Sequence, residues 1–508
     1  MAHLTIAPIL LPLLAAIVLL LVPTRRIAVH RFVGLLSCAG LVAVAAILAV
    51  QADDGGTRVY LVGNWAAELG ITLAADRLSA IMLLATSLLA LPCLWFATGG
   101  WDRRALHFHV LFQFQLMGLN GAFLTADLFN LFVFFEVLLI ASYGLLLSGA
   151  RGARVRSGLH YVAFNITAST LYLFAVGYIY GLTGALNMAE VAIRVAAMPA
   201  AEAAPLKAAA GLLLVVFCAK AALLPLYFWL PETYARSPAA VAALFAVMTK
   251  LGVYAVLRVF TLVFGADAGE LANLAWPWLL PLGAATLVLA TLGALAAPSI
   301  RLLAAYLVLG SAATLFIALG LASAEALGAG LYYLVHSTLV GGALFLLADL
   351  IRRNRDNAGD SLRKLDHMKH RTLLGLMFFV AAVSVAGLPP LSGFVGKFSL
   401  LAAVPDAQAG WIWPVILGTS LMVLIALASA ASQLFWREGG EPAPPGAIPR
   451  LRGSEVGATL ALLVMGVLLS LFGGPVLRYT QDAGAQLVAP AAYIDAVRGA
   501  LPKPGVEP

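Results

Sequence analysis

Fourteen runs of about 20 apolar residues constrain this chain more than any other feature. They lie near 3–23, 31–51, 72–98, 106–125, 127–148, 158–182, 206–229, 238–265, 271–296, 300–322, 325–351, 371–402, 410–436 and 454–475. Inside a bilayer every backbone N–H and C=O must be satisfied within the protein, so runs of this length predict spanning helices. The chain is 62% hydrophobic and 11% charged, with a mean hydropathy of +0.97. Those values exclude a soluble protein and predict an all-α polytopic membrane protein. The junctions near Asp127 and Glu325 are very short, so the helices they join are expected to form tight antiparallel hairpins. The first run, Ile6 to Val22, has no basic residue before it and no small-x-small site after it. It reads as a retained helix and not as a signal peptide.

The basic residues predict the topology. Alternate junctions hold Arg25, Arg26 and Arg31, then Arg103 and Arg104, then Arg151, Arg154 and Arg156, then Arg236 and Arg301. The same side continues with Arg352, Arg353, Arg355, Arg363, Lys364, Lys369 and Arg371, and then Arg437, Arg450 and Arg452. That side carries twenty basic residues, against six on the other: Arg58, Arg194, Lys207, Arg478, Arg498 and Lys503. The bias predicts an even number of spans with both termini outside the cytoplasm. A net charge of +7 is small for 508 residues and does not suggest nucleic acid as a partner. No soluble domain intervenes. The segment Glu438–Arg452 is rich in Pro and Gly and reads as a flexible connector. The tail after Pro475 holds an amphipathic stretch around Leu487–Leu501. It fits the outer membrane surface or a partner, and a disordered tail fits as well.

The chemistry is concentrated in the stretch Cys218–Val259. Lys220 and Lys250 sit inside apolar runs there, and Pro225, Pro231 and Pro238 interrupt the helical pattern between them. A lysine at mid-membrane costs about 2.5–3.5 kcal/mol on insertion scales and marks a functional site with a partner nearby. A proline breaks the ladder and frees carbonyls that must face protein or water. A second break lies at Pro389, Pro390 and Gly393, beside Lys397. Two lysine-bearing broken helices five spans apart predict inverted repeats, spans 4–8 against spans 9–13. Glu136 lies nine residues into its run, roughly 13 Å deep. His336 is also near mid-span.

A carboxylate beside an ammonium largely offsets the cost of burying both. A lysine that alternates between a glutamate and a more distant neighbour alternates between holding and releasing a proton. Arginine cannot do this, because it does not deprotonate. The competing reading is that these residues form buried structural ion pairs, and that His336 is a hydrogen-bonded core histidine. Asp76 and Asp349 lie near helix ends, where capping or interface roles fit as well as transport. Arg258 is expected to snorkel or to pair with an acid. Cys38, Cys93 and Cys218 have no CxxC spacing and read as buried thiols. The sequence contains no pattern for covalent catalysis, a metal or an organic cofactor.

Three strings carry a resemblance: KAALLPLYFWLPETYARSPAAVAALFAVMTKLGVYAVLRVF from Lys220, FNLFVFFEVLLIASYGLLL from Phe129 and GLPPLSGFVGKF from Gly387. They resemble the core of the antiporter-like membrane subunits shared by respiratory complex I and Mrp-type multisubunit cation/proton antiporters. The resemblance covers roughly 70–430. The runs YFWLP, TKLGVYA and GNWAAELGI are most similar to the D-type member of the Mrp set, and the chain is shorter than the fused A-type member. The resemblance implies fourteen spans with two inverted five-helix repeats. It implies that Glu136 is the acidic partner and Lys220 the switching lysine of a first half-channel. It makes Lys250 the central relay, His336 a relay of the second half and Lys397 its exit lysine. The expected division is 1–105 for three leading helices, 106–265 and 271–436 for the two repeats, and 437–508 for the connector, last helix and tail. Two departures stand out. Ser237-Pro238-Ala239 replaces the Pro-Thr-Pro of complex I relatives, and no lysine follows His336 in HSTLVGGALFL, where Val340, Gly341 and Gly342 stand. They suggest a subtype found in proteobacterial Pha-like systems.

The leading expectation is a proton-translocating subunit of a Na⁺ or K⁺/H⁺ antiporter in the bacterial inner membrane, assembled with subunits of types A, B, C, E, F and G. The alternative is a proton-pumping subunit of a complex I-like oxidoreductase or a membrane-bound hydrogenase. A third reading is a scaffold that only docks partners.

Overall fold

A computed structural model describes residues 3–149, 152–355, 358–364, 366, 368–437 and 451–502. The connector expected at Glu438–Arg452 lies outside these residues apart from Leu451 and Arg452. Among the described residues the chain forms nineteen α-helices. In the first half these are α1 (Ala7–Leu21), α2 (Ile27–Ala52), α3 (Arg77–Ala97), α4 (Phe108–Leu124), α5 (Leu128–Leu147), α6 (Ala153–Thr183), α7 (Met188–Ala196), α8 (Ala203–Lys220), α9 (Leu230–Arg236) and α10 (Ala239–Leu262). The second half has α11 (Trp276–Ala296), α12 (Ile300–Gly320), α13 (Ala324–Arg353), α14 (Arg371–Ala386), α15 (Ser392–Ala402), α16 (Asp406–Ala431), α17 (Gly453–Leu471), α18 (Gly473–Val488) and α19 (Ala491–Arg498). Eleven helical stretches are long and apolar enough to cross a bilayer, and α1 and α14 are shorter apolar helices. One small sheet was not expected. Strands β1 (Arg58–Leu61) and β2 (Thr72–Ala75) pair antiparallel in the loop between α2 and α3.

Side-chain caps set several helix starts. Asp76 accepts from Ser79 N at 2.9 Å and Asp127 from Asn130 N at 2.7 Å. Ser299 and Ser323 cap α12 and α13 in the same way. Each cap satisfies an N–H that the helix itself leaves free. The turns between α4 and α5 and between α12 and α13 are short, as the junctions near Asp127 and Glu325 required.

The loops meet in two groups. On one face Arg31 pairs with Asp102, Arg154 Nε donates to Arg236 O at 2.9 Å, and Leu362 N donates to Pro298 O at 2.9 Å. Burial opposes the charge of Asp102, but hydrogen bonds from His109 and the Arg31 guanidinium hold its carboxyl down at about 2. On the other face Ala126 N donates to Thr72 O, Asn187 Nδ2 to Ala67 O, and Lys207 pairs with Glu270 at 3.6 Å. The tail belongs to this second face. It is two helices laid on the chain's own surface, α18 on the end of α13 with Gly328 against Gln481, and α19 next to α7. Tyr479 donates to Ala49 O at 3.0 Å and Arg498 pairs with Glu190 at 3.1 Å. The described part of the tail is thus ordered and packed on the chain itself.

At the centre stands α10, buried along nearly its whole length. Gly252 brings it against the end of α8, since a Cβ there would lie 2.6 Å from Ala221 N. Small residues permit such close approach in membrane helices. Near one end of α10, Arg258 grips Asp76 with two bonds of 2.7 and 2.6 Å and reaches Ser79 Oγ at 3.2 Å. The rings of Tyr254 and Tyr493 flank its guanidinium at 5.7 and 4.8 Å. This pair ties α3, α10 and the tail together. Asp76→Ala strands the buried guanidinium and is expected to cost about 3–5 kcal/mol of stability. An Asp76→Leu, Arg258→Met double variant is expected to regain most of that. Thermal midpoints of the purified assembly check both outcomes.

Candidate functional site

The first broken helix is built from α8 and α9. Helix α8 stops at Lys220, so the break begins five residues before Pro225. The freed groups find partners: Leu224 N donates to Thr286 Oγ1 at 3.0 Å, and the indole of Trp229 donates to Ala219 O at 3.1 Å. The side chain of Lys220 is buried. Its Nζ donates to Ser169 Oγ at 3.3 Å and sits 4.9 Å from the centre of the Phe135 ring. Glu136 follows Phe135 on α5. It is close enough to attract the ammonium electrostatically but forms no ion pair with it. Glu136 Oε1 is buried and has no hydrogen-bond partner. A carboxylate oxygen left bare at this depth is costly, and it is free to accept a proton or a bond from a lysine that swings toward it.

Lys250 occupies the middle of α10 and is fully buried. Its Nζ donates to Ser311 Oγ at 2.5 Å, and Ser311 Oγ donates on to Val308 O at 2.6 Å. Two cavities open beside Ser311. One of about 20 Å³ is lined by Ser311, Tyr333, His336, Val340 and Gly341 among others. One of about 30 Å³ is lined by Ser311, Thr314, Tyr333, Lys397 and Ser420 among others. A cavity needs about 10–15 Å³ to hold a water, so each has room for one or two. Ser311 and Tyr333 line both.

The second break joins α14 to α15. Pro389 and Pro390 lie in its turn and Gly393 in the first turn of α15. A Cβ at Gly393 would lie 3.0 Å from His336 Nε2, so glycine lets the break close on the imidazole. His336 Nδ1 shares a 2.8 Å hydrogen bond with Ser392 Oγ. Lys397 fills the break itself. Its Nζ donates to the freed carbonyls of Val385 and Ala386 at 3.2 and 3.1 Å, and to Ser420 Oγ at 2.9 Å.

All five expected relay residues are therefore interior. Glu136 and Lys220 are neighbours, His336 and Lys397 each line one of the two cavities, and Lys250 is bonded to Ser311, which lines both. Asp76 and Arg258 belong to the locked tie described above. Asp349 lies at the opposite end of α13, paired with Arg352 at 2.7 Å and Arg353 at 2.9 Å, and Arg353 also reaches Glu455 at 3.0 Å. The three serines bound to the lysines and the one bound to His336 were not singled out from the sequence: Ser169, Ser311, Ser392 and Ser420. Serine is ordinary in membrane helices, and only Ser392, beside the double proline, carried a positional signal.

The serines give the site its chemical character. A hydroxyl accepts from an ammonium and donates to a neutral amine, so it serves a lysine in both protonation states. A carboxylate at bonding distance favours only the charged state. Among the described residues Arg258 and Arg353 are locked to acids, the buried Arg355 donates to the carbonyls of Gly359, Ser361 and Lys364, and Lys220, Lys250 and Lys397 are held by serines without an ion pair. No group of three or more His, Cys, Asp or Glu side chains among the described residues is placed to hold a metal ion.

Residues 125–424 match the family described as NADH:quinone oxidoreductase/Mrp antiporter, transmembrane. The chain is 40% identical to a probable D-type K⁺/H⁺ antiporter subunit of Rhizobium meliloti, covering 98% of each chain. It is 35% identical to the D-type Na⁺/H⁺ antiporter subunit of Alkalihalophilus pseudofirmus, over 98% of this chain and 99% of that one. Among solved structures, a chain of the Mrp complex from Dietzia superposes with a TM-score of 0.86 at 30% identity, over 98% of this chain and 99% of that one. A chain of respiratory complex I from Thermus thermophilus shares the fold, with a TM-score of 0.75 at 24% identity over 96% of this chain and 99% of that one. The chain belongs to the NADH:quinone oxidoreductase/Mrp antiporter family of membrane subunits.

Proposed function

We propose that this chain is the proton-translocating subunit of a multisubunit Na⁺ or K⁺/H⁺ antiporter. The observation that carries the reading is the set of buried lysines held by serine hydroxyls between two broken helices. Each of these lysines can give up its proton without stranding a carboxylate salt bridge. Lys220 passes its proton when it moves between Glu136 and the centre of the protein. Lys250 receives it and hands it through Ser311 to the cavity beside His336. Lys397, at the second break, releases it. Glu136 holds Lys220 in its charged state when the two approach.

The reading includes an architecture. Each of the fourteen apolar runs holds a helix, and we take all fourteen as spans, with 106–265 and 271–436 as inverted repeats. The segments 1–105 and 437–508 flank them. The arginine-rich face is cytoplasmic by the positive-inside rule, which puts both termini and the tail helices outside. The protein lies in the bacterial inner membrane, in a hetero-oligomer with the other antiporter subunits. Full-length identity of 35–40% to subunits named for cation/proton antiport favours this over a redox-driven pump, whose chains share the fold at 22–26%.

Lys220→Met and Glu136→Gln are each expected to lower cation-driven proton movement in vesicles by about 100-fold or more, the scale of a lost acid–base group. Assembly with the other subunits is expected to stay intact. Unchanged antiport in either variant would falsify the relay. Ser311→Ala is expected to slow transport by about 3–10-fold, the worth of one hydrogen bond, while Ser311→Thr keeps most of it. Proton flux in vesicles of matched protein content measures both.

A further inference from the structure

One cavity near the proton site has no assigned role. It measures about 1030 Å³ and lies between α6 and α9 on the arginine-rich face. Arg156, Arg236 and His160 line its mouth. Glu232 also lines it and is paired with Arg236 at 2.6 Å, so the described lining keeps one net positive charge, that of Arg156. Arg154 stands behind, with its Nε on Arg236 O and its guanidinium 5.4 Å from the Trp101 ring. Deeper in, the wall turns apolar and aromatic through Phe164, Phe228 and Trp229. Phe164 packs on both of these rings, at 5.4 and 5.9 Å between centres. Charge at the membrane-surface end and an aromatic slot toward the interior match the two ends of one molecule.

We propose that this groove binds an anionic phospholipid, with the headgroup phosphate between Arg156 and Arg236 and the acyl chains along Phe164 and Phe228. A zwitterionic lipid offers the same chains but cancels its phosphate with its own cation, so the groove discriminates by charge. The volume suits a headgroup with the upper part of its chains. The site adjoins the proton path. Trp229 forms part of the wall and also donates to Ala219 O, one residue from Lys220. Thr167, two residues before Ser169, lines the same groove. A bound lipid therefore braces the break and the helix that carries the serine partner of Lys220. The site itself does not depend on the direction of proton flow.

The test uses the whole purified assembly, supplied with equal amounts of phosphatidylglycerol and phosphatidylethanolamine and read by native mass spectrometry. The wild type is expected to retain phosphatidylglycerol preferentially. Arg156→Gln and Arg236→Gln are each expected to lower that retention about fivefold, the effect of one cation at a membrane surface. Arg156→Lys, which keeps the charge, is expected to restore it and so controls for misfolding. Equal retention of the two lipids by the wild type would overturn the proposal. So would Arg156→Gln that retains as much as the wild type, or a neighbouring protein of the assembly that cross-links into the groove through a cysteine placed at Thr167.

Discussion

The structure depends on burying an ammonium group beside a neutral hydroxyl. Lys250 sits in the most enclosed helix of the chain and is bonded at 2.5 Å to Ser311. A charge at that depth would ordinarily be locked to an acid, as Arg258 is to Asp76. Locking gives stability and stops proton exchange. The hydroxyl offsets part of the desolvation cost and leaves the proton free to go. The same choice recurs at Lys220 and Lys397, and His336 also meets a serine. Buried charge thus sits beside a carboxylate at Arg258 and beside a hydroxyl at Lys220, Lys250 and Lys397.

The two broken helices solve one problem in two ways. At the first, Thr286 and Trp229 satisfy backbone groups around the break, and Lys220 bonds to Ser169. At the second, the ammonium of Lys397 satisfies two freed carbonyls itself. The second half also lacks a lysine in the HSTLVGGALFL run just after His336. In its place Val340 and Gly341 line a cavity with room for water. In the relay we propose, Ser311, Tyr333 and water carry the proton there, where the first half uses side chains.

The helices were legible because hydrocarbon tolerates little else, and each predicted run holds one. Lys220, Lys250, Lys397 and the prolines were legible because their cost at depth demands a reason. The direct Glu136–Lys220 pair was not the outcome, since Phe135 and Ser169 occupy the lysine head instead. Which neighbour on a helix faces a partner depends on rotation that spacing does not specify. The serines escaped notice because a hydroxyl is cheap in a membrane helix and leaves no mark in the pattern. The tail's amphipathicity was clear, but that signal does not say which surface it covers, and part of it covers the chain's own α13 and α7.

Replacing Lys250 with arginine tests the central claim most directly. Arginine keeps the positive charge and a donor for Ser311 but does not release its proton. Cation-driven proton flux by the intact assembly in vesicles is predicted to vanish in Lys250→Arg, with subunit composition unchanged. Flux near the wild-type level would show that Lys250 contributes only a fixed charge, and would contradict the account.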